Sequence, residues 1–315
     1  MPELPDVTVY VERLQALAGD QCLERVRVLS PFVVRTFDPP LSAVEGRPLR
    51  RVERLGKRLV LEFDEDLFVV IHLMIAGRLR WRSLGASIPK SGGLAAFDFA
   101  GGTLLFTEAS KQKRASLHVV RGRTELGSFD CGGVDPLAAS ARAFRAAIVR
   151  ENRTLKRALT DPRLLSGIGN AYSDEILFAA RLSPVALTQR LDDDEITQLR
   201  DACRQVLVEW TEKLRRAVGS GFPEKVTAFR QEMAVHGRYR QPCRKCGTQV
   251  QRIRYAANEA NYCPRCQTGG KLLADRGLSR LLKRDWPRSI DELEDRLEHQ
   301  PGRPRPGDVP AGCKR

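Results

Sequence analysis

The four clustered cysteines of this chain constrain its fold more than any other sequence feature. Cys243 and Cys246 form one C-x-x-C pair, Cys263 and Cys266 form a second pair, and 16 residues separate the pairs. This spacing is typical of structural zinc sites, in which two tight turns close a tetrahedral shell of four thiolates around one Zn²⁺. A redox-active dithiol is the alternative, but two pairs at this spacing favour a metal. We therefore predict a single zinc ion with a structural role.

The region around these cysteines is strongly basic. Positions 236–254 contain six Lys and Arg residues and no acid. The β-rich run at 249–255, followed by Tyr262, predicts a hairpin between the two pairs. A rigid cationic hairpin is suited to binding the phosphates of a nucleic acid, because each neutralised phosphate releases counterions.

The whole chain is basic as well. Its 315 residues include 53 Lys and Arg against 39 Asp and Glu, which gives a formal net charge of +14. An excess of this size indicates a polyanionic partner, either nucleic acid or an anionic membrane surface. The sequence contains no apolar stretch typical of a membrane span and no secretory signal pattern. We therefore expect a cytoplasmic protein with reduced cysteines and no membrane partner.

The order of periodic segments predicts an α+β protein. Positions 6–18 have apolar residues at helical spacing, and 22–122 contain short β-rich runs of the kind found in β-sandwiches. Helical patterns follow at 138–215. The expected organisation is an N-terminal catalytic β-sandwich domain with a leading helix (1–135), a helical DNA-binding domain (136–235), a zinc-finger β-hairpin (236–283) and a disordered basic tail (284–315).

The amino terminus has the composition of a covalent catalyst. Pro2 is small enough for the initiator Met1 to be removed, which would leave a secondary amine beside the carboxylate of Glu3. A terminal amine has a pKa of about 8, against about 10.4 for lysine, so much more of it is neutral and nucleophilic near pH 7. Its adduct with an aldehyde is a cationic iminium. An amine beside an acid can therefore catalyse carbonyl chemistry, although these residues alone are a weak signal.

A glycine-rich turn predicts a phosphate site. Gly167 and Gly169 free the backbone for close approach, and Asn170 stands where a helix begins. The unpaired amides and the positive dipole end of such a helix favour an anion. A plain turn is the alternative, and the basic hairpin elsewhere in the chain favours phosphate binding.

Three motifs of this chain occur together and in one order. They are the start P-E-L-P, the run K-x-x-L-x-D…G-x-G-N-x-Y-x-x-E-x-L from Lys156 to Leu177, and H-G-R-x-x-x-P-C-R-x-C-G with Y-C-P-R-C-Q. Together they resemble the formamidopyrimidine-DNA glycosylase and endonuclease VIII family of base-excision repair enzymes, with the start closer to the formamidopyrimidine branch. The second run resembles that family's helix–two-turn–helix motif and the third its zinc finger. The resemblance covers about residues 2–270.

This resemblance implies a bifunctional enzyme that removes a damaged base and then nicks the strand by β/δ elimination. Pro2 matches the family's nucleophile, which forms an iminium on the sugar, and Glu3 matches its acid/base carboxylate. Lys57 matches a lysine near the scissile phosphate, and Asp6 replaces a second glutamate. The implied partner is double-stranded DNA with damaged bases or abasic sites, bound by a monomer associated with the bacterial nucleoid.

The same resemblance assigns DNA contacts. Asn170 matches a residue that holds phosphates at the lesion, and Lys156 and Gly169 belong to the same motif. Met74 and Ile75 occupy the turn in which the family carries glycine and then methionine, a side chain that fills the vacated base stack.

The chain departs from the family mainly where the damaged duplex is recognised. Ile75 takes the place of the wedging methionine. The family's D-P-R-R-F-G supplies an arginine and a phenylalanine that probe the opposite cytosine, whereas positions 107–114 are T-E-A-S-K-Q-K-R and contain no aromatic. The hypothesis that these changes favour is an altered choice of lesion, with the chemistry retained.

Two further positions carry predictions from the resemblance. Asn258 stands where the zinc finger usually has a phosphate-binding arginine, so we expect Arg252 or Arg254 to bind phosphate instead. Glu175 matches a motif carboxylate, for which a structural role is equally open.

Two other functions stay open from the sequence alone. A non-catalytic protein of the same fold would bind damaged or structured DNA, but it would have no need for Pro2, Glu3 and Lys57. A zinc-ribbon transcription or RNA-binding factor would explain the cysteines and the charge, but not the terminus.

Overall fold

The computed structural model of the protein describes residues 1–224, 226–227, 229–255, 258–274 and 283–298. It begins with helix α1, Leu4–Ala18. Pro5 lies in the first turn, where its missing N–H costs nothing, and the Asp6 carboxylate accepts the Glu3 N–H at 3.0 Å. The apolar face of α1 is fully buried, so the helix is fixed on the sandwich and its start cannot fray.

A sandwich of two antiparallel four-stranded sheets follows α1. The first sheet has the order β1-β6-β7-β5 and the second has β2-β3-β4-β8. The strands are β1 Leu23–Val28, β2 Leu49–Leu55, β3 Arg58–Phe63, β4 Leu67–His72, β5 Gly77–Arg82, β6 Gly93–Phe99, β7 Gly102–Glu108 and β8 Ser116–Arg121. Their inward side chains form one core with α1, as expected for facing sheets.

Three connecting segments leave the sandwich at the same end. The register pairs His72 with both Arg58 and Ser116, and it pairs Gly77 with Glu108. The turn at 56–57, the turn at 73–76 and the loop at 109–115 therefore leave the sheets on the same side. We call this side the loop end of the sandwich.

The middle of the chain is helical. Its helices are α2 Arg123–Gly127, α3 Ala141–Val149, α4 Leu155–Thr160, α5 Asn170–Ala179 and α6 Asp193–Val218. Leu4 of α1 is buried in the core of these helices, whereas Val7 belongs to the core of the sandwich. The first turn of α1 therefore lies between the two cores, and it carries the amino terminus to the start of α5.

The finger is the hairpin β9 Gln251–Tyr255 and β10 Asn258–Tyr262, followed by α7 Pro264–Thr268. Gln267 of α7 donates to the carbonyl of Leu182 at 3.0 Å, which attaches the finger to the helical core.

The predicted α+β class, with a leading helix, a sandwich, helices and a zinc-finger hairpin, is confirmed. The tail differs from the prediction of disorder, because Ile290–Glu298 forms a helix, α8. Arg265 contacts Asp291 of this helix at 2.5 Å, and the backbone of Lys271 bridges to Ser289. Positions 299–315 of the predicted tail lie outside the described residues, and the domain boundaries stay predictions.

Candidate active site and DNA-binding surface

The Glu3 carboxylate caps the start of helix α5. It accepts the N–H of Gly169 at 2.6 Å, of Ala171 at 2.9 Å and of Tyr172 at 3.3 Å. These amides are among the unpaired donors of a helix N-terminus, and the helix dipole adds positive potential there. Three of the amides that the sequence predicts to be free for a phosphate thus hold the predicted catalytic acid instead, at a fixed place 2% exposed to solvent.

Gly169 is where the two predicted catalytic side chains meet the helix. A methyl group on its Cα would lie 2.6 Å from Glu3 Oε1 and 2.8 Å from Lys57 Nζ. Both distances are too short for a real Cβ contact, so glycine is required for the acid and the lysine to close over this turn.

Burial shifts the proton affinity of both amines at this site. It lowers the pKa of Lys57 below its usual range, although the nearby Glu3 carboxylate opposes that effect. Burial likewise lowers the pKa of the terminal amine, which Met1 carries in the full chain, again against Glu3. Pro2 is itself buried. The site therefore favours neutral amines beside a fixed carboxylate.

Asp6 is linked to this site by a hydrogen bond to the backbone of Glu3. One of its oxygens accepts the Glu3 N–H at 3.0 Å, and the other accepts from the guanidinium of Arg230 at 3.1 Å. Burial raises the pKa of the Asp6 carboxyl, while Arg230 and the backbone hydrogen bond lower it. Arg230 could not be identified from the sequence, since it lies in an irregular segment 224 positions away.

Lys156 does not lie where a direct DNA contact would need it. Its ammonium group is buried and donates to the carbonyl of Asn170 at 2.6 Å, to Ser173 Oγ at 2.8 Å and to Asp174 Oδ1 at 2.6 Å. All three protons are used within the protein, so this lysine holds the first turn of α5. The structure therefore corrects the prediction that the Lys156 ammonium group contacts DNA directly.

A buried polar cluster joins α5 to the chain before the finger. Asp174 Oδ2 lies 2.7 Å from His236 Nδ1, and Glu175 accepts the backbone N–H groups of Ala234, Val235 and His236 at 2.7–3.0 Å. Glu175 therefore has the structural role that the sequence left open. We call Glu3, Lys156, Gly169, Asp174 and His236 the buried junction.

The remaining predicted DNA contacts lie nearer the surface. Asn170 is half-buried at the first position of α5. Ile75 is 61% exposed at the tip of the turn between β4 and β5, and Met74 before it adopts a left-handed φ of 50°. The structure thus presents Ile75 to solvent at the loop end, which is the placement that a wedge into DNA requires.

The loop that replaces the family's base-probing residues is cationic. Lys111, Lys113 and Arg114 are exposed on it. The buried Glu108 carboxylate accepts the N–H of Arg114 at 3.1 Å, and Lys113 donates to the Glu108 carbonyl at 2.5 Å. Glu108 therefore fixes the two ends of a short loop whose side chains face solvent.

The four finger cysteines fit a zinc ion. Their sulfur atoms all lie within 4.8 Å of one another, and the N–H of Lys245 points at Cys243 Sγ from 3.4 Å. A tetrahedral zinc–thiolate centre with bonds of about 2.3 Å needs sulfurs about 3.8 Å apart. Four thiolates leave no open position, so the one zinc ion is structural.

The two hairpin arginines differ in their surroundings. The Arg252 guanidinium lies 4.2 Å from the centre of the Tyr239 ring and 3.3 Å from Glu259 Oε2. Arg254 keeps 63% of its side chain exposed, 4.0 Å from the same carboxylate. Arg254 is therefore the better placed of the two for a phosphate.

Three family models match the chain in the order of its motifs. The formamidopyrimidine-DNA glycosylase N-terminal domain matches residues 1–121, the formamidopyrimidine-DNA glycosylase H2TH domain matches 133–218, and the zinc finger found in FPG and IleRS matches 240–269. The fold and the site thus define a DNA repair glycosylase with a helix–two-turn–helix motif.

Curated relatives and solved structures agree with this class. A formamidopyrimidine-DNA glycosylase of Heliobacterium modesticaldum is 32% identical over 280 residues, which are 85% of this chain and 100% of that protein. The chain therefore belongs to the formamidopyrimidine-DNA glycosylase family. A formamidopyrimidine-DNA glycosylase-like protein of Mycobacterium tuberculosis is 40% identical over 151 residues, 48% of this chain and 94% of that protein.

The fold is also that of a Lactococcus lactis Fpg solved with DNA that contains an abasic site. The TM-score is 0.74 at 26% identity, over 84% of this chain and 99% of that one.

Among the described residues, the structure has no helix long and apolar enough to cross a bilayer.

Proposed function

We propose that this DNA repair glycosylase uses Pro2, freed by removal of Met1, as an amine nucleophile and lyase catalyst. The observation that carries the proposal is the meeting of the chain terminus, the Glu3 carboxylate and Lys57 Nζ over Gly169. An amine and an acid at fixed places beside a phosphate-binding turn match the needs of covalent catalysis at a sugar carbon.

The amine has to be neutral to attack. Burial lowers the pKa of the terminal amine that Met1 carries, and the same surroundings would favour the neutral form of a Pro2 amine. The rate of adduct formation should therefore rise with pH as the amine loses its proton and then level off. Attack at the sugar C1′ expels the base, and opening of the ring then gives an iminium with no N–H proton to lose. This cation withdraws electrons while the C2′ proton and the 3′ phosphate leave.

The acid has to exchange a proton with the sugar. Glu3 is held by three amides of the α5 N-terminus, which fixes its carboxylate next to the terminus while the Asp6 hydrogen bond holds its own backbone. We assign it protonation of the ring oxygen and assistance in ring opening. Lys57 Nζ, held beside Glu3 over Gly169, is assigned a hydrogen bond to the scissile phosphate, whose negative charge favours the protonated form that burial disfavours.

We assign DNA binding to Asn170, Met74, Ile75 and Arg254, with Arg252 two positions before Arg254 on the same strand. Lys156 and Gly169 contribute indirectly, because they determine the conformation of the first turn of α5. The substrate is double-stranded DNA with damaged bases or abasic sites, the kind of DNA bound in the Lactococcus structures. A bacterial cytoplasmic protein, monomeric and associated with the nucleoid, fits this substrate.

The test is borohydride trapping on an abasic-site duplex with the full, zinc-loaded chain. The expected result is a covalent adduct in the tryptic peptide 2–13, located by mass spectrometry. A variant extended by two uncleaved residues before Pro2 is the matched control, and it should bind the duplex without forming the adduct.

The outcomes separate the candidate functions. An adduct that maps to Lys57, or that forms equally in the extended variant, would contradict the role of Pro2. Tight binding of abasic DNA with no adduct from processed protein would support the non-catalytic function instead.

A further inference from the structure

We infer that Phe32, an exposed aromatic at the loop end of the sandwich, stacks on the distorted DNA strand and supplies the aromatic contact that loop 109–115 lacks. The inference rests on the proposed function, because it takes damaged duplex DNA as the partner. Four of the nine exposed large apolar side chains in the described part of the chain fall within ten consecutive positions. They are Val28 at 39%, Leu29 at 50%, Phe32 at 81% and Phe37 at 90% exposure.

Four exposed apolar side chains on one short segment point to a binding surface. Single exposed apolar side chains are ordinary on a protein surface, whereas a contiguous group of them marks a site of interaction. Phe32 is also held firmly, since its neighbour Val33 is buried and the turn Pro31–Val33 is closed by backbone hydrogen bonds. A ring on a fixed turn loses little entropy when it binds.

The backbone places this turn at the loop end. The N–H of Leu29 donates to the carbonyl of Leu94 at 2.9 Å, and the N–H of Arg35 donates to that of Leu117 at 2.8 Å. Leu94 and Leu117 are the second residues of β6 and β8, and both strands begin at the loop end. The turn that carries Phe32 therefore spans the edges of the two sheets, on the side where Ile75 is presented.

The charges nearby favour nucleic acid over an apolar partner. Loop 109–115 ends two positions before Leu117 and carries three cations and no acid. The Phe32 segment itself has one cation, Arg35, and one acid, Asp38. An apolar protein or a lipid tail would leave the cations of the loop without partners. A DNA strand offers them phosphates, and every base offers the ring a π face.

The position of Phe37 gives an internal comparison. The hydroxyl of Thr36 accepts the N–H of Val119 at 2.7 Å, two residues farther along β8 from the loop end than Leu117. Phe37 is thus as exposed as Phe32 but farther from Ile75. Its contribution to lesion binding should be smaller.

The test compares binding to a duplex with a stable abasic analogue and to the intact duplex. Phe32→Ala should weaken binding to the lesion duplex about tenfold, the effect of losing one base-stacking contact, and binding to the intact duplex less than twofold. Phe37→Ala should have a smaller effect, and Phe32→Trp should retain the preference. Leu84→Ala is the matched control, because Leu84 is 54% exposed just beyond β5 at the opposite end of the sandwich.

Two results would overturn the inference. One is an unchanged preference in Phe32→Ala, and the other is an equal loss on both duplexes, which would make the ring a general DNA contact. Thermal unfolding checks that the variants fold. Trapping on abasic DNA separates the two proposals. If the unaltered protein forms no adduct, the proposed function fails. If the unaltered protein forms the adduct and Phe32→Ala still prefers the lesion duplex, only the role of Phe32 fails.

Discussion

The buried junction and the loop end of the sandwich are built in opposite ways. In the junction, Glu3, Lys156 and Asp174 are almost fully buried, and their charged groups are hydrogen-bonded within the protein. At the loop end, Ile75 and Phe32 lie in solvent. A substitution in the junction would break several internal contacts at once, whereas a substitution of Ile75 or Phe32 would change what the surface presents without disturbing the fold. The proposed roles therefore assign chemistry to the junction and contacts with the duplex to the loop end.

The largest expected effect is that of Glu3→Gln. The amide keeps the size of the side chain but loses the negative charge at the α5 N-terminus and the ability to exchange a proton. Single-turnover cleavage of abasic-site DNA should slow by about a thousandfold. Glu12→Gln is the control, because Glu12 lies on the same helix in an exposed pair with Arg215 and should change the rate little. If Glu3→Gln slows cleavage by less than threefold, the buried junction does not take part in the reaction.

Asp174→Asn should come next, as a loss of stability. It leaves the buried Lys156 ammonium without its carboxylate and weakens the bond to His236. Breaking a buried pair costs about 3 kcal/mol of unfolding free energy, which urea denaturation measures. The exposed pair Arg200–Asp201 provides the control Asp201→Asn, with an expected change below about 0.5 kcal/mol. Equal effects of the two changes would show that the junction is no more than another surface contact.

At the loop end, Ile75→Ala should weaken binding of an abasic duplex about tenfold, with the trapping rate at saturating DNA unchanged. The physical reason is the loss of apolar volume that fills the vacated base position. Ile75→Met restores the family's residue and should bind at least as well. If Ile75→Ala also lowers the trapping rate at saturating DNA, then Ile75 affects the chemical step, and the division into a catalytic junction and a DNA-binding loop end is wrong.

The smallest effect is expected for Lys111→Ala. One lost phosphate contact should reduce the slope of log affinity against log salt by about 1 and leave the choice of lesion unchanged. Arg121→Ala, at the far end of β8, is the matched control and should leave the slope as it is. Equal slopes in all three proteins would mean that loop 109–115 does not reach the duplex.

The sequence predicts helices and strands well where buried apolar residues recur at a regular spacing. All eight strands of the sandwich lie within the β-rich span predicted at 22–122, and strands such as β3 and β6 carry buried apolar residues along most of their length. Strand β5, Gly77–Arg82, carries three arginines in six positions, and its apolar signal was too weak to recognise. The four zinc-binding cysteines were predictable because metal geometry fixes their spacing.

The sequence predicts the site less completely. Glu3 and Lys57 were identified through the family resemblance, and the structure brings both of them over Gly169. The burial of Lys156 and the Asp6–Arg230 contact could not be foreseen, since both depend on how distant segments pack. A lysine in a DNA-binding motif has the same sequence whether its charge faces phosphate or a buried carboxylate.

The contact between Glu3 and Gly169 joins groups 166 positions apart in the chain. Protein synthesis releases the amino terminus first, and domains fold as they emerge. The Pro2 end of a nascent chain is therefore made first, but the helix that binds the Glu3 carboxylate is made only after more than half of the polypeptide. A product interrupted before that helix lacks the amides that hold Glu3, so the proposed alignment of amine and acid arises only once translation has passed the middle of the chain.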